Sequence, residues 1–316
     1  MLRKFFSAAK KQSGWMAIRY VPEGLCLAHV QAHGHDKPLV TLCGVTTGDA
    51  KSNGLLTKAA KEMQLARYHC STLLAPNEYQ MLVVEAPNVP APELKTAMRW
   101  RIKDLLDFHI DDATLDVLDI PPEKNNAVGT HSMYAIAARN SVIEQRINQF
   151  HQSNIALEVI DISEMAQRNI SARVEDTGRG LALMSFTENA GLLTVTYQGE
   201  LYLARHLDIG WEQLAQGDAN AKQAQFDRIT LELQRSLDNF ERQFKFISIS
   251  RLLIAHLPDM EGLRNYLAQN LSVSVTVLDL NDIFDFSRVP AAGALNNQAR
   301  FFLTLGAALR HEERAL

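Results

Sequence analysis

A pattern of three strands followed by a helix occurs twice in this sequence, about half a chain apart. In the first copy, runs rich in β-branched and apolar residues are separated by short turn-forming sequences, and a helical stretch follows: residues 15–20, 25–32, 39–45 and 54–65. The second copy has three such runs and then a helix candidate that starts at Trp211: residues 181–186, 192–197 and 200–207. The repeat predicts a duplicated α/β lobe, so we expect two lobes that face a cleft.

Chain length and composition exclude several classes of protein. The 316 residues are enough for about two domains, each with its own core. With 32 Lys and Arg against 36 Asp and Glu, the net charge of −4 gives no basic field that would attract nucleic acid. No apolar run approaches the roughly 18 residues of a membrane span. The basic start of the chain lacks the apolar region of a signal peptide, so a cytoplasmic protein is expected.

Known catalytic and metal-binding motifs are missing from the sequence. It contains no Walker A sequence, no GxGxxG and no GxSxG. Cys26, Cys43 and Cys70 lack CxxC spacing and are predicted to be free thiols. The stretch His33-Gly34-His35-Asp36 lies at a predicted hairpin tip without a third ligand nearby, so we interpret it as a solvated turn. We therefore predict no catalytic residue and no metal site.

The first eleven residues, MLRKFFSAAKK, form a separate basic segment. Apolar residues recur in it at helical spacing and basic residues lie off that stripe, as in an amphipathic helix that binds an anionic membrane surface or a partner groove. The alternative interpretation is a frayed chain terminus. The residues predicted to contribute to membrane or partner attachment are Leu2, Arg3, Lys4, Phe5, Phe6, Lys10 and Lys11.

A block of strands and helices between the two copies predicts an inserted small subdomain. Its entry helix, predicted over residues 93–106, has an apolar stripe that should face the subdomain core: Leu94, Ala97, Met98, Ile102 and Leu105. Trp100 lies off this stripe, and Phe108 lies just past the predicted helix end. An aromatic residue off the core face is either an anchor for a partner or packs against the neighbouring lobe. Arg99, Arg101 and Lys103 flank Trp100 and are candidates for pairing with an acidic group on a partner.

The order of these blocks predicts the domain organisation. We expect a first lobe over residues 1–86, an inserted subdomain over 87–155 and a second lobe over 156–290. A C-terminal helix within residues 291–316 is expected to return to the first lobe. The longest helix is predicted over residues 223–246, where apolar residues keep three- and four-residue spacing throughout.

Several short motifs together resemble the PilM family of type IV pilus assembly proteins. They are spread over nearly the whole chain: Gln234-Arg235-Ser236-Leu237-Asp238 followed by Phe240, Ala137-Ala138-Arg139 with Glu144, Asp161 after Val159-Ile160, Leu305-Gly306-Ala307-Ala308-Leu309-Arg310, and Glu93-Leu94 with Arg99-Trp100 and Phe108. Within the family, the likeness is greatest to members from MSHA (mannose-sensitive haemagglutinin) pilus systems. The resemblance implies an actin-like (ribonuclease H-like) two-lobed α/β fold with an inserted small α+β subdomain.

The resemblance also implies partners. Proteins of this family lie at the cytoplasmic face of the inner membrane and hold the short cytoplasmic tail of a bitopic membrane protein between the first lobe and the inserted subdomain. The expected partners are therefore this tail peptide, the assembly ATPase motor and a peripheral membrane contact, and no nucleic acid.

Nucleotide binding in this fold needs glycine and acidic residues that this chain lacks. Phosphates require close backbone approach at glycine-bearing turns, and Mg²⁺ prefers oxygen ligands. Family members that keep the site carry an Asp-x-Gly turn in the first strand pair, whereas residues 14–20 here read GWMAIRY. The second such turn is replaced by SFTEN at residues 185–189, and the adenosine loop by LIAHL at residues 253–257. The resemblance thus predicts a degenerate site without ATP or Mg²⁺.

Three classes of function remain open from the sequence. The first is a non-enzymatic scaffold, with a pseudo-ATPase fold, that links a cytoplasmic motor to an inner-membrane pilus subcomplex. The second is an actin-like ATPase or ATP-gated switch in pilus or type II secretion assembly. A sugar- or acetate-kinase-like enzyme is a weaker third candidate, because fold alone does not establish activity.

Overall fold

Two five-stranded sheets and one three-stranded sheet organise the molecule. The structure is a computed structural model, and it describes residues 11–33, 36–49, 53–123, 131–216, 218–258 and 260–310. Each five-stranded sheet is the centre of one lobe, and the small sheet belongs to the inserted subdomain. Among the helices of the described residues, none has both the length and the apolar character needed to cross a bilayer.

The first lobe starts with a three-stranded antiparallel meander. The meander consists of β1 (Trp15–Val21), β2 (Gly24–His33) and β3 (Asp36–Thr47), and it is followed by α1 (Asn53–Glu62) and β4 (His69–Leu73). β4 lies parallel to β1. The β1–β2 turn requires glycine at its end, because Gly24 has a φ of 145° and a Cβ there would lie 2.1 Å from the carbonyl oxygen of Thr46.

The inserted subdomain is an antiparallel sheet covered by one helix. Its elements are β5 (Tyr79–Glu85), α2 (Ala91–Ile102), β6 (Ala113–Ile120) and β7 (Ser132–Arg139), with strand order β5-β7-β6. Met98 and Ile102 on α2 are fully buried against one face of this sheet. Because β5 pairs with β7 and with no strand of the first lobe, the predicted boundary after residue 86 is wrong: the subdomain sheet begins at Tyr79.

The chain then returns to the first lobe through α3 (Asn140–Gln152), β8 (Leu157–Asp161) and α4 (Ser163–Ser171). β8 runs parallel to β4, which completes the strand order β3-β2-β1-β4-β8. The subdomain is thus inserted inside a β–α–β crossover, and the prediction that the second lobe begins at residue 156 is wrong. Hydrophobic periodicity identifies strands but carries no information about which sheet a strand joins.

The second lobe repeats the topology of the first. Its elements are β9 (Gly180–Phe186), β10 (Gly191–Tyr197), β11 (Glu200–Leu207), α5 (Trp211–Ala215), α6 (Ala219–Gln243), β12 (Ile249–Ala255), α7 (Glu261–Asn270) and β13 (Ser274–Leu278). The strand order β11-β10-β9-β12-β13 matches that of the first sheet position by position. Asp218 starts the long helix α6 by accepting a hydrogen bond from the Ala221 N–H at 2.9 Å. The duplicated lobe predicted from the sequence is confirmed.

The last two helices, α8 (Pro290–Gly293) and α9 (Leu295–Ala308), bring the chain back to the first lobe. α9 packs on β1, β2 and β4, while α4, which leaves the first lobe, packs on β9, β10 and β11. The two helices cross where a Cβ on Gly306 would lie 2.2 Å from the carbonyl oxygen of Ala166, so only glycine allows this approach. Gln167 on α4 donates to the Leu183 carbonyl at 2.8 Å and so attaches α4 to the second sheet.

Candidate functional site

A groove lies between the first lobe and the inserted subdomain, beside strand β8. We call it the β8 groove, and it has a volume of about 310 Å³. Strands β6 and β7 form one wall, and β8 with the start of α4 forms the other. The lining residues are Asp116, Leu118, Ile136, Glu158, Val159, Ile160, Asp161, Ile162, Met165 and Arg310.

One wall of the β8 groove is an open sheet edge. β8 is the last strand of the first sheet, and β4 is its one partner in that sheet. In an edge strand, the backbone N–H and C=O groups on the outer side remain available to another extended chain. The opposite wall supplies the half-buried apolar side chains of Leu118 and Ile136. The geometry therefore fits a short extended peptide that adds to β8 and places alternate side chains on the subdomain.

Charged groups mark the two ends of the groove. At one end, Asp161 is 8% exposed and accepts a hydrogen bond at 2.7 Å from the Arg310 guanidinium. Burial raises the pKa of Asp161, and the Arg310 charge opposes this shift without cancelling it. At the other end, Glu158 accepts from Lys11 and lies 2.8 Å from Nδ1 of His69. Partial burial acts to raise the pKa of Glu158, but hydrogen bonds from Lys11 and His69 outweigh it and the pKa is lowered.

The predicted anchor Trp100 lies on the outer face of α2, away from the β8 groove. Its side chain is 70% exposed, and the Lys103 ammonium lies 5.7 Å from its ring centroid. Phe108 instead packs on the subdomain core, with the Arg139 guanidinium 4.4 Å from its ring centroid. Neither aromatic side chain lines the groove.

The basic residues beside Trp100 are engaged within the subdomain to different degrees. Arg99 donates to the carbonyl oxygens of Ala113 and Ile110 at 2.9 and 2.6 Å, so it holds the chain after α2 in place. Arg101 lies 3.5 Å from a carboxylate oxygen of Glu85.

The predicted apolar stripe of the entry helix is wrong at its last position. α2 ends at Ile102, so Leu105 lies in the following turn and is 55% exposed. Leu106 packs against the subdomain core in its place. The helical spacing continued in the sequence past the residue where the helix stops.

The predicted attachment segment is described at its last residue alone. Leu2, Arg3, Lys4, Phe5, Phe6 and Lys10 lie outside the described residues. Lys11 pairs with Glu158, and the Gln12 N–H donates to the Arg67 carbonyl at 2.7 Å. The chain therefore enters the first lobe at the Glu158 end of the β8 groove.

The β1–β2 turn lies just beyond residues 14–20, the stretch in which the sequence lacks an Asp-x-Gly turn. It contains both an acidic residue and a glycine, but each has a structural role. The Glu23 carboxylate accepts from the Arg300 guanidinium at 2.6 Å, and Gly24 accommodates the close approach of β3. Near the end of β1, Arg19 donates to the Arg300 carbonyl at 3.0 Å. A cation at this position cannot serve as a ligand for Mg²⁺.

The other two positions, at which the sequence predicts loss of the nucleotide-binding residues, are held by contacts within the second lobe. In the β9–β10 turn, the Thr187 N–H donates to the Ala190 carbonyl at 2.8 Å, and the Thr187 carbonyl accepts from Trp211 at 2.9 Å. After β12, Leu257 is buried at 4% exposure. Within the described residues, no group of three or more His, Cys, Asp or Glu side chains could hold a metal ion.

A buried carboxylate that sequence reasoning missed joins all three parts of the molecule. Glu164, in the first turn of α4, is 1% exposed. It accepts a hydrogen bond from the Tyr79 hydroxyl of the subdomain and lies 2.8 Å from Nε2 of His206 in the second lobe. Burial and the nearby Glu164 charge raise the pKa of Tyr79 well above its usual value. Ser-Glu at a helix start is so common that the sequence alone gave no signal for this role.

A larger cavity of about 520 Å³ lies between the β1–β2 turn and α3. Arg146 forms its floor, stacks on Tyr20 with 4.3 Å between guanidinium and ring centroid, and donates twice to Glu78. Arg146 and Glu78, two of the charged residues that line the cavity, are thus already paired with each other. No sheet edge lines this cavity, so the β8 groove is the better candidate for a peptide site.

Comparisons with known proteins agree with this fold. The family model described as "Type IV pilus assembly protein PilM" matches residues 50–227, more than half of the chain. No curated protein sequence matches the chain. A solved structure described as "PilM-PilN type IV pilus biogenesis complex" superposes with a TM-score of 0.70 at 18% identity, over 94% of this chain and 98% of that chain. The actin-like two-lobed α/β fold implied by the sequence is confirmed.

Two further solved structures have lower scores. A protein from Bacteroides thetaiotaomicron VPI-5482 with an actin-like ATPase fold has a TM-score of 0.49 at 13% identity, over 96% of this chain and 99% of that chain. The cytoplasmic domain of EpsL, an inner-membrane component of the type II secretion system of Vibrio cholerae, has a TM-score of 0.43 at 13% identity, over 66% of this chain and 76% of that chain.

Proposed function

The chain belongs to the PilM family of type IV pilus assembly proteins, and from this we propose that it is a non-enzymatic scaffold that binds the cytoplasmic tail of a bitopic inner-membrane partner. The proposed setting is an MSHA-type pilus machine, in which the protein links this partner to the assembly motor at the inner face of the membrane. The observation that carries the proposal is the β8 groove, where an open sheet edge faces an apolar wall of the subdomain.

An extended tail suits this groove in length and chemistry. The five residues of β8 span about 17 Å, which matches a tail segment of similar length. Backbone hydrogen bonds to a strand edge supply affinity without regard to sequence, and side-chain pockets supply specificity. Leu118 and Ile136 provide such a pocket, because both are half-buried before any partner binds. The matched solved structure is itself described as a complex of PilM with PilN, which supports a tail-binding role.

The absence of catalysis in this proposal is supported by the chemistry of three positions. The β1–β2 turn has its carboxylate paired with Arg300, and Arg19 occupies the end of the first strand. Residues 185–189 and 253–257 contain no glycine that would let the backbone come close to a phosphate.

The test is titration of a labelled peptide with the sequence of the partner's cytoplasmic tail. Leu118→Glu places a charge on the apolar wall without touching β8, and we expect it to weaken binding at least tenfold, about 1.4 kcal/mol. Trp100→Ala is the matched control, because Trp100 is exposed on the opposite side of the subdomain sheet. Circular dichroism melts would show that both variants fold.

The two variants also distinguish between two candidate binding surfaces for the tail. Loss of affinity in Leu118→Glu with Trp100→Ala unchanged would support the β8 groove. The reverse result would place the tail over α2, where Trp100, Arg101 and Lys103 were predicted to anchor a partner. Arg99 and Phe108 support that face from inside the subdomain. Unchanged affinity in both folded variants would refute tail binding at either surface.

A further inference from the structure

We propose that the first ten residues of this chain, which we call the N-terminal arm, occupy the β8 groove in cis and compete with the partner tail. The competition depends on the proposed function, since it assumes that the tail uses the same groove. Docking of the arm itself does not depend on it. Four features of the structure and sequence converge on this occupant.

The first feature is where the arm joins the fold. The Lys11 ammonium pairs with Glu158, which lines the groove, and the Gln12 N–H donates to the Arg67 carbonyl at 2.7 Å. These two contacts fix the chain directly after the arm. The arm therefore joins the fold at the Glu158 end of the groove. Lys11, the residue directly after the arm, already pairs with the Glu158 carboxylate.

The second feature is length. Ten extended residues reach up to about 33 Å, whereas the five residues of β8 span about 17 Å. Ten residues in a helix span about 15 Å. Glu158 and Asp161 are three residues apart on β8, which corresponds to about 10 Å, so the arm is long enough in either conformation to reach Asp161 at the far end of the groove.

The third feature is charge. The groove lining contains three carboxylates, Asp116, Glu158 and Asp161, and one cation, Arg310. Lys95 also pairs with Asp116 at 2.8 Å, but Asp116 remains 69% exposed and can accept a second donor. The arm carries no acidic residue, and its cations are Arg3, Lys4 and Lys10. Glu158 and Asp161 are already paired with Lys11 and Arg310, so the exposed Asp116 is the groove carboxylate that can accept a cation of the arm.

The fourth feature is apolar complementarity. Leu2, Phe5 and Phe6 lie at helical spacing on one side of the arm, apart from its basic residues. The groove offers Leu118, Ile136 and Met165, which line it, are half-buried and pack against the core of the molecule on their inner side. Burial of two aromatic rings would provide most of the affinity.

Covalent attachment makes even a weak arm effective. A short tether holds a segment at a local concentration in the millimolar range. With an intrinsic dissociation constant of about 100 μM, an arm at about 1 mM fills the groove about 90% of the time and reduces the affinity for a competitor about tenfold.

The experiment compares the full chain with a variant lacking residues 2–10. This deletion keeps Lys11 and Gln12, so both contacts that fix the start of the fold remain. We expect the deletion to bind the labelled tail peptide about tenfold more tightly than the full chain. A second variant carries the same ten residues in scrambled order, which keeps the charge and removes the apolar side, and should bind nearly as tightly as the deletion. Equal affinity in all three proteins would overturn the proposal.

A direct assay separates this inference from the proposed function. A labelled synthetic peptide of residues 1–10 is titrated into the deletion variant, with and without the Leu118→Glu change. We expect binding that is lost with Leu118→Glu and weakens as salt rises from 50 to 500 mM. If this peptide binds in that way while the tail peptide ignores Leu118→Glu, arm docking stands and the proposed tail site fails. If the tail peptide responds to Leu118→Glu and the arm peptide does not bind, the tail site stands and arm docking fails.

Discussion

We expect His29 to make the free energy of unfolding of the first lobe depend on pH between pH 7 and pH 5. Its side chain on β2 is 0% exposed, Nε2 lies 3.1 Å from the Ser13 carbonyl and Nδ1 lies 2.5 Å from the Thr41 hydroxyl. Because a carbonyl can only accept, Nε2 carries the proton and Nδ1 accepts from Thr41. Protonation of Nδ1 would force the Thr41 hydroxyl to turn and accept where it now donates, and it would place a charge inside the lobe.

The size of the effect follows from the pKa. Burial lowers the pKa of His29 from 6.5 to about 4, and the hydrogen bond to Ser13 only partly opposes it. A histidine with a depressed folded-state pKa contributes stability above its unfolded pKa and loses it as pH falls. The loss therefore starts near pH 6.5 and is complete near pH 4, and it amounts to about 2 kcal/mol between pH 7 and pH 5.

The assay is urea unfolding at pH 7 and pH 5, followed by circular dichroism. We expect the wild type to lose about 2 kcal/mol more than His29→Gln, in which the amide keeps one donor and one acceptor without titrating. His109→Gln is the control, since the side chain of His109 is 71% exposed and its removal should leave the pH dependence unchanged. The reasoning is refuted if His29→Gln and the wild type lose the same stability.

Two further predictions test the closed nucleotide positions and the crossing of α4 and α9. Millimolar Mg·ATP should leave the melting temperature unchanged, because binding linked to folding would raise it, and an increase of several degrees would contradict a degenerate site. Gly306→Ala should destabilise the protein by at least about 2 kcal/mol, because its Cβ would lie 2.2 Å from the Ala166 carbonyl oxygen and the helices would have to separate. Gly262→Ala on α7 is the matched control: its nearest contact would be 3.6 Å, and helix propensity predicts a small gain.

Local features of the sequence predicted the repeated elements well. Strand alternation and turn residues located the three strands of each meander within a few residues, because both signals act between near neighbours in sequence. The spacing on the entry helix correctly placed Met98 and Ile102 inside and left open the position of Trp100, which is exposed. It failed at Leu105, because continued spacing does not show where a helix stops.

Long-range pairing accounts for what the sequence did not predict. The partners of strands β5 and β8 lie more than forty residues away along the chain, and local patterns cannot choose between sheets. The β8 groove has the same origin, since β6, β8 and α4 meet only in the folded molecule. The buried Glu164 was missed because its partners, Tyr79 and His206, come from different parts of the chain.

The exchange of α4 and α9 between the lobes has a consequence for how this fold can be divided. The first sheet is covered by a helix from the end of the chain, and the second sheet by a helix from its middle. A cut in the connection at residues 174–179 would therefore give two fragments, each with an uncovered apolar sheet face. The duplication is visible in the topology, yet neither half contains the helix that covers this face of its own sheet. The repeated lobes are interdependent parts of one cooperative unit, whose halves would have to reassociate to hide those faces from water.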